Sequence, residues 1–229
     1  MFATMTVLSL FAPQEEQIVS SETVWEFLQS GGYIMIPLAL CSVAALTLAM
    51  ERMLALRRRR IVPAEISDVM ELVAAKDFEN AIETGEGMNA PVGRILVAGV
   101  RRREHRLEEI ERAMEDQGQK EAEKLRANIR PLSLIANIAP LLGLLGTVIG
   151  IQDSFALVVK GAMGKPDMLA GGIEEALVTT ITGLSIAIPS LFLASHLQGK
   201  VRRLMNEADE KLAPALEHLA KGEELRHAS

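Results

Sequence analysis

Two uncharged stretches hold the groups that could do chemistry. Pro131–Gln152 reads PLSLIANIAPLLGLLGTVIGIQ and carries Ser133, Asn137 and Thr147. Ala176–Gly199 reads ALVTTITGLSIAIPSLFLASHLQG and carries Thr179, Thr180, Thr182 and Ser185, with Glu174 and Glu175 just ahead of it. A hydroxyl donates and accepts at once, so a row of them can orient water or hand a proton along, but cannot store one. Neither stretch contains a carboxylate, so a proton path through them needs a titrating group from elsewhere. Glu174 and Glu175 sit where a helix dipole favours carboxylates, and ionisable groups at the mouth of a membrane segment are candidates for function. A plainer use stays open beside this one. Ser and Thr also bond back to their own helix or bind helices together.

Both stretches are long enough to cross ~30 Å of hydrocarbon as helices. At about 100° per residue, Ser133, Asn137, Pro140, Leu144, Thr147 and Ile151 fall on one face. Lipid cannot satisfy such a stripe, so it must turn toward protein or water. Gly143, Gly146 and Gly150 let other helices approach closely. In the other stretch Thr180 shares a side with Ala176, Gly183, Ala187 and Leu191, while Glu175, Thr179 and Thr182 form a separate stripe. Pro189 is placed to kink that helix.

The rest of the chain must position these two stretches. Its 229 residues are 49% hydrophobic yet 24% charged, a mosaic of membrane spans and soluble helices. With 3% aromatic residues, a barrel with aromatic girdles is excluded, and a net charge of −6 gives no reason to expect nucleic-acid binding. Cys41 is the single cysteine, so no internal disulfide can form. His105, His196, His218 and His227 show no i, i+4 pairing, and neither a metal nor a cofactor is expected.

Met1–Ala12 is a short apolar run that suits a signal-peptide core, but no basic region precedes it, and the favoured expectation is a retained segment, flexible or lying in the interface. Glu22–Leu28 suits a short amphipathic helix, interfacial through Trp25 or simply a packing helix. Gly31–Met50 is a further uncharged span, closed by Arg52 and by Arg57, Arg58, Arg59 and Arg60. Pro63–Arg130 is charged and helical, with Ile66, Val69, Met70 and Val73, then Leu107, Ile110 and Met114, at helical spacing. Gly85-Glu86-Gly87 and Pro91 are expected to break it into hairpin arms. Its last helix is expected to run on into the central span, bent near Pro131. The tail after Lys200 is charged and helical.

The fold class is therefore all-α, with three membrane helices extended into a helical bundle. The divisions are 1–30 for an external segment, 31–51 for the first span, 52–130 for an internal helical domain and 131–158 for the second span. A short external turn follows at 159–173, then the third span at 174–199 and an internal C-terminal helix at 200–229. Of 24 Lys and Arg, 16 lie in 51–130 and 6 in 200–229, with only Lys160 and Lys165 between the last two spans. Basic residues stay inside, which puts the N-terminus outside and the C-terminus in the cytoplasm.

PLLGLLGTVIGIQDSF followed by GGIEEALVTTITGLSIAIPS resembles the paired signature of the MotA/TolQ/ExbB proton-channel family, nearer to ExbB and TolQ. The three-span plan and the TVWEFLQSGGYIMIPL opening fit as well, so the resemblance covers roughly residues 22 to 205. It implies a channel subunit and not an enzyme, lodged in a bacterial inner membrane as a homopentameric ring. The ring would surround single-span subunits resembling ExbD or TolR, which bring the proton-carrying aspartate, with a TonB- or TolA-like protein as a further partner. By motif, Thr147 and Thr180 become pore-lining threonines and Glu175 the carboxylate at the periplasmic mouth. The doubled acid at Glu174 departs from the pattern, and Thr179 and Thr182 add hydroxyls. The alternative to a motor subunit is a structural scaffold holding single-span partners without conducting protons.

Overall fold

The computed structural model describes residues 30–159 and 166–227, and all described regular structure is helical. The expected N-terminal amphipathic helix and the residues around Ala162 lie outside the described residues. Eight helices follow in order: α1 Met35–Ala55, α2 Arg58–Ile61, α3 Ile66–Ala74, α4 Phe78–Gly87, α5 Pro91–Arg101, α6 Leu107–Ala127, α7 Arg130–Val159 and α8 Pro166–His227. Three stretches are long and apolar enough to cross a membrane: Met35–Ala55, the apolar part of Leu107–Ala156, and that of Ala170–Ala220. Leu40, Val43, Leu141, Val148, Ile181 and Ile188 stand exposed along them, an arrangement that lipid or further protein must cover.

Two expectations change. Gly85, Glu86 and Gly87 lie inside α4, and the break comes at Met88–Ala90, where Asn89 takes φ 53°. Gly85 is a packing glycine, since a Cβ there would fall 2.7 Å from Val97 on α5. The helix expected to run on into the central span with a bend near Pro131 does so through a two-residue turn at Asn128 and Ile129, and Pro131 occupies the first turn of α7, where its missing N–H costs nothing. The helix that carries the third span begins earlier than the charge pattern suggests. Residues 166–173, expected as a turn, are already helical, because Pro166 at the first position is preset for a helix. The same helix continues without a break through Pro189 and Pro214 for 62 residues, so the third span and the C-terminal helix are one element.

The described residues divide into two compact units, one gathering those up to Pro37 with those of Leu142–Thr182, the other Leu38–Leu141 with those from Gly183 onward. The second unit has one continuous buried cluster. It runs from Ala45 and Ala49 on α1 through Ile66, Val69, Leu96 and Ile110 to Leu197, Val201 and Leu219 on α8. Most of the predicted apolar positions supply it: Ile66, Val69, Val73, Ile110 and Met114 are buried and Met70 half-buried, while Leu107 is half-buried and outside the cluster. Burial of such side chains stabilises by about 1.5–3 kcal/mol each. α5 is buried on nearly every side from Pro91 to Val100 and is the central rod of this bundle.

Candidate functional site

The first unit brings the two polar stretches together as a tight helical pair. Gly146, Gly150 and Ser154 recur every four residues on α7 and face Gly172, Ala176 and Thr179 on α8. A Cβ at Gly146 would overlap the Thr179 side chain. A Cβ at Gly150 would fall 2.7 Å from the Gly172 carbonyl oxygen and 3.1 Å from the Ala176 nitrogen, and one at Gly172 would overlap the Ser154 hydroxyl. Only hydrogen fits at these crossings, as in other close membrane-helix pairs. Gly143 and Gly183 are also buried.

Two of the hydroxyls meet at one backbone oxygen. Thr180, half-buried, donates to the Gly143 carbonyl across 3.2 Å. Thr179 is fully buried, donates to Ala176 O at 2.9 Å and lies 3.4 Å from the same Gly143 oxygen. Thr147 is half-buried and donates to Leu144 O of its own helix at 2.6 Å. Thr182 donates to Val178 O at 2.8 Å. Each hydroxyl keeps lone pairs free to accept from water or a neighbouring donor. Along α7, Ser133, Pro140 and Thr147 are half-buried, while Asn137, Leu144 and Ile151 are exposed. This stripe flanks the glycine face and is only partly covered by its own chain, with Asn137 its exposed polar member.

Three carboxylates stand at one end of the pair. Glu174 is exposed and Glu175 half-buried, with its carboxylate lying on Gly32 just before α1. Asp153 is exposed and belongs to α7, one residue before Ser154, which packs on Gly172. The uncharged run stops at Gln152, yet the second span drawn to residue 158 already takes in Asp153, although it does not stand among the candidate site residues. The signal for it is the apolar FALVV that follows, which carries the helix on to Val159.

The charged helices contain one buried carboxylate that periodicity did not single out. Glu121 is 2% exposed on α6 and accepts from Arg94 of α5 at 2.9 and 2.6 Å, with Gln117 adding a third bond at 3.0 Å. Above all the Arg94 hydrogen bonds hold the Glu121 carboxyl below the usual carboxylate range, against the effect of burial. Asp209 on α8 shifts the other way, raised by burial and by Glu115. Among the described residues, no group of three or more His, Cys, Asp or Glu could hold a metal ion.

The pattern of the MotA/TolQ/ExbB proton channel family matches residues 87–210. The putative biopolymer transport protein ExbB-like 1 of Synechocystis is 36% identical over 197 residues, 84% of this chain and 75% of that one. A putative biopolymer transport protein ExbB homolog of Methanothermobacter thermautotrophicus is 34% identical over 182 residues, 78% of this chain and 64% of its own length. The Tol-Pal system protein TolQ of Haemophilus influenzae is 34% identical over 93 residues, 41% of each chain.

Proposed function

The chain belongs to the MotA/TolQ/ExbB proton channel family, and on that footing we propose that it is the channel-forming subunit of a proton-driven motor in a bacterial inner membrane. The observation that carries this reading is the partly covered flank of α7, with Asn137 exposed and Thr147 half-buried on it, beside the Thr180 hydroxyl of α8. A flank that its own chain covers only in part calls for other copies and an enclosed partner helix. Five copies form the ring. A single-span partner resembling ExbD or TolR supplies an aspartate that takes up the proton beside these hydroxyls. The change in that aspartate's charge alters its contacts, and the partner's movement does work on the cell envelope. Glu175 gathers protons at the outer mouth, with Glu174 beside it. The N-terminus lies outside and the charged helices inside, because the basic residues partition that way.

One observation favours a scaffold instead. Thr147, Thr179, Thr180 and Thr182 each already have a backbone carbonyl as hydrogen-bond acceptor. In a scaffold these bonds would be their whole use. Co-reconstitution with the single-span partner separates the two readings. A motor gives proton uptake into proteoliposomes that disappears when the partner's aspartate is replaced by Asn. A scaffold gives intact complexes and no uptake at all.

A further inference from the structure

Gly31 and Gly32 precede α1 and lie on consecutive turns of α8. A Cβ at Gly31 would fall 3.0 Å from Val178 Cγ1, and one at Gly32 would overlap Glu175 Oε1 and lie 2.7 Å from Glu175 Cδ. Gly32 has φ 62°, the left-handed region where a side chain is strained. Its carbonyl accepts from Met35 N at 3.2 Å and so opens the first turn of α1. Ile36 N is paired in the same way with the Tyr33 carbonyl, and the positive end of the α1 dipole favours a carboxylate beside this turn. Glu175 is half-buried there, whereas Glu174, one residue earlier, is exposed.

We propose that Gly32 is a positioning residue for Glu175: its missing side chain and left-handed backbone make a socket at the start of α1 that clasps this carboxylate. The first span then fixes where the mouth carboxylate of the third span stands, and Glu175 ties the two spans together. Glu174 is outside the clasp. This distinguishes the two adjacent acids by geometry, although their chemistry is the same. The functional side of the proposal rests on the reading of Glu175 as the mouth carboxylate; the clasp does not.

The assembled complex in detergent is treated with a water-soluble carbodiimide and glycine ethyl ester, and amide formation at each glutamate is followed by peptide mass spectrometry. In the native protein Glu175 should label roughly fivefold more slowly than Glu174, the factor that one ordinary hydrogen bond's worth of holding produces. In Gly32→Ala the Glu175 rate should rise to that of Glu174, with the Glu174 rate unchanged. Equal rates in the native protein, or an unchanged ratio in Gly32→Ala, overturn the clasp. Should Gly32→Ala fail to assemble, Glu175→Asp gives the answer on the native backbone. The shortened carboxylate no longer reaches Gly32 and should label at the Glu174 rate, and slow labelling there overturns the clasp. In proton flux, adding Gly32→Ala to Glu175→Gln should cause no further loss, and a further loss means that Gly32 acts by another route. Labelling that follows Gly32 in complexes that conduct no protons keeps the clasp and defeats the channel reading. Normal conduction with labelling indifferent to Gly32 does the reverse.

Discussion

Thr180 on α8 donates its hydroxyl to the Gly143 carbonyl of α7 across 3.2 Å, while Thr147, one turn further along α7, donates within its own helix at 2.6 Å. The two candidate pore threonines are therefore held differently. Thr180 joins the helices and Thr147 does not. Removing the first should loosen the pair by around 0.6 kcal/mol, the average for a bond between membrane helices, and removing the second should not loosen it at all.

The glycines give the largest expected effect on assembly. Gly150→Ala drives a methyl group against the Gly172 carbonyl and the Ala176 backbone, neither of which can swing aside. It should destabilise the pair by about 1–3 kcal/mol, the usual range for overpacking. Gly171→Ala, where nothing lies within 4 Å, should be silent. Thermal unfolding of the purified complex in detergent checks both, and equal melting temperatures for the two variants would contradict the close crossing.

Glu121 and Asp209 should shape stability on opposite sides of the pH scale. The folded pKa of Glu121 is lowered, first by its hydrogen bonds to Arg94, so its contribution is present above the ordinary glutamate value near ~4.3 and is lost as pH falls through the folded value. Glu121→Ala should cost about 2 kcal/mol at pH 7, toward the low side for a broken buried pair because Arg94 keeps access to water. The folded pKa of Asp209 is raised, first by burial, so its contribution is present below the ordinary aspartate value near ~3.9 and is lost as pH rises through the folded value. Asp209→Asn should therefore raise the melting temperature slightly at pH 7 and leave it unchanged at pH 3. Melting curves of both variants across that range test the signs.

Orientation is tested with single cysteines in a Cys41→Ser background. Gly171→Cys lies at the carboxylate end of α8 in open space, and Ala75→Cys is exposed between α3 and α4. A membrane-impermeant thiol reagent added outside intact cells should label the first and not the second. Reversed labelling would contradict the charge-based topology.

Much of this architecture is legible from periodicity and from where charge stops. Ile66, Val69, Val73, Ile110 and Met114 repeat at helical spacing and do lie in the core, because one-sided burial writes itself into the sequence. Glycine and proline are harder to read. Gly85 in α4 resembles a break but serves a close helix crossing, and Pro166 resembles a turn residue but opens a helix. Glu121 sits in a run of charges that reads as a solvated face. Gln117 and Lys124 reach it from its own helix, but its main partner is Arg94, 27 residues away, and a pattern within one helix cannot reveal that partner. The contact between Gly32 and Glu175 is tertiary in the same way, and so is the packing of Ser154 on Gly172 that brings Asp153 to the carboxylate end of the pair.

The central claim is that protons pass the hydroxyls of Thr147 and Thr180. The most direct test is proton flux into proteoliposomes holding the complex with its single-span partner, measured beside ring yield by size exclusion. Valine nearly keeps threonine's shape but has no hydroxyl. Thr147→Val and Thr180→Val should each lower flux at least about tenfold, equivalent to 1.36 kcal/mol on the barrier, with rings intact. Thr182→Val, which removes only a bond to Val178 on the same helix, should leave flux normal. Normal flux through intact rings in both Thr147→Val and Thr180→Val would contradict the account.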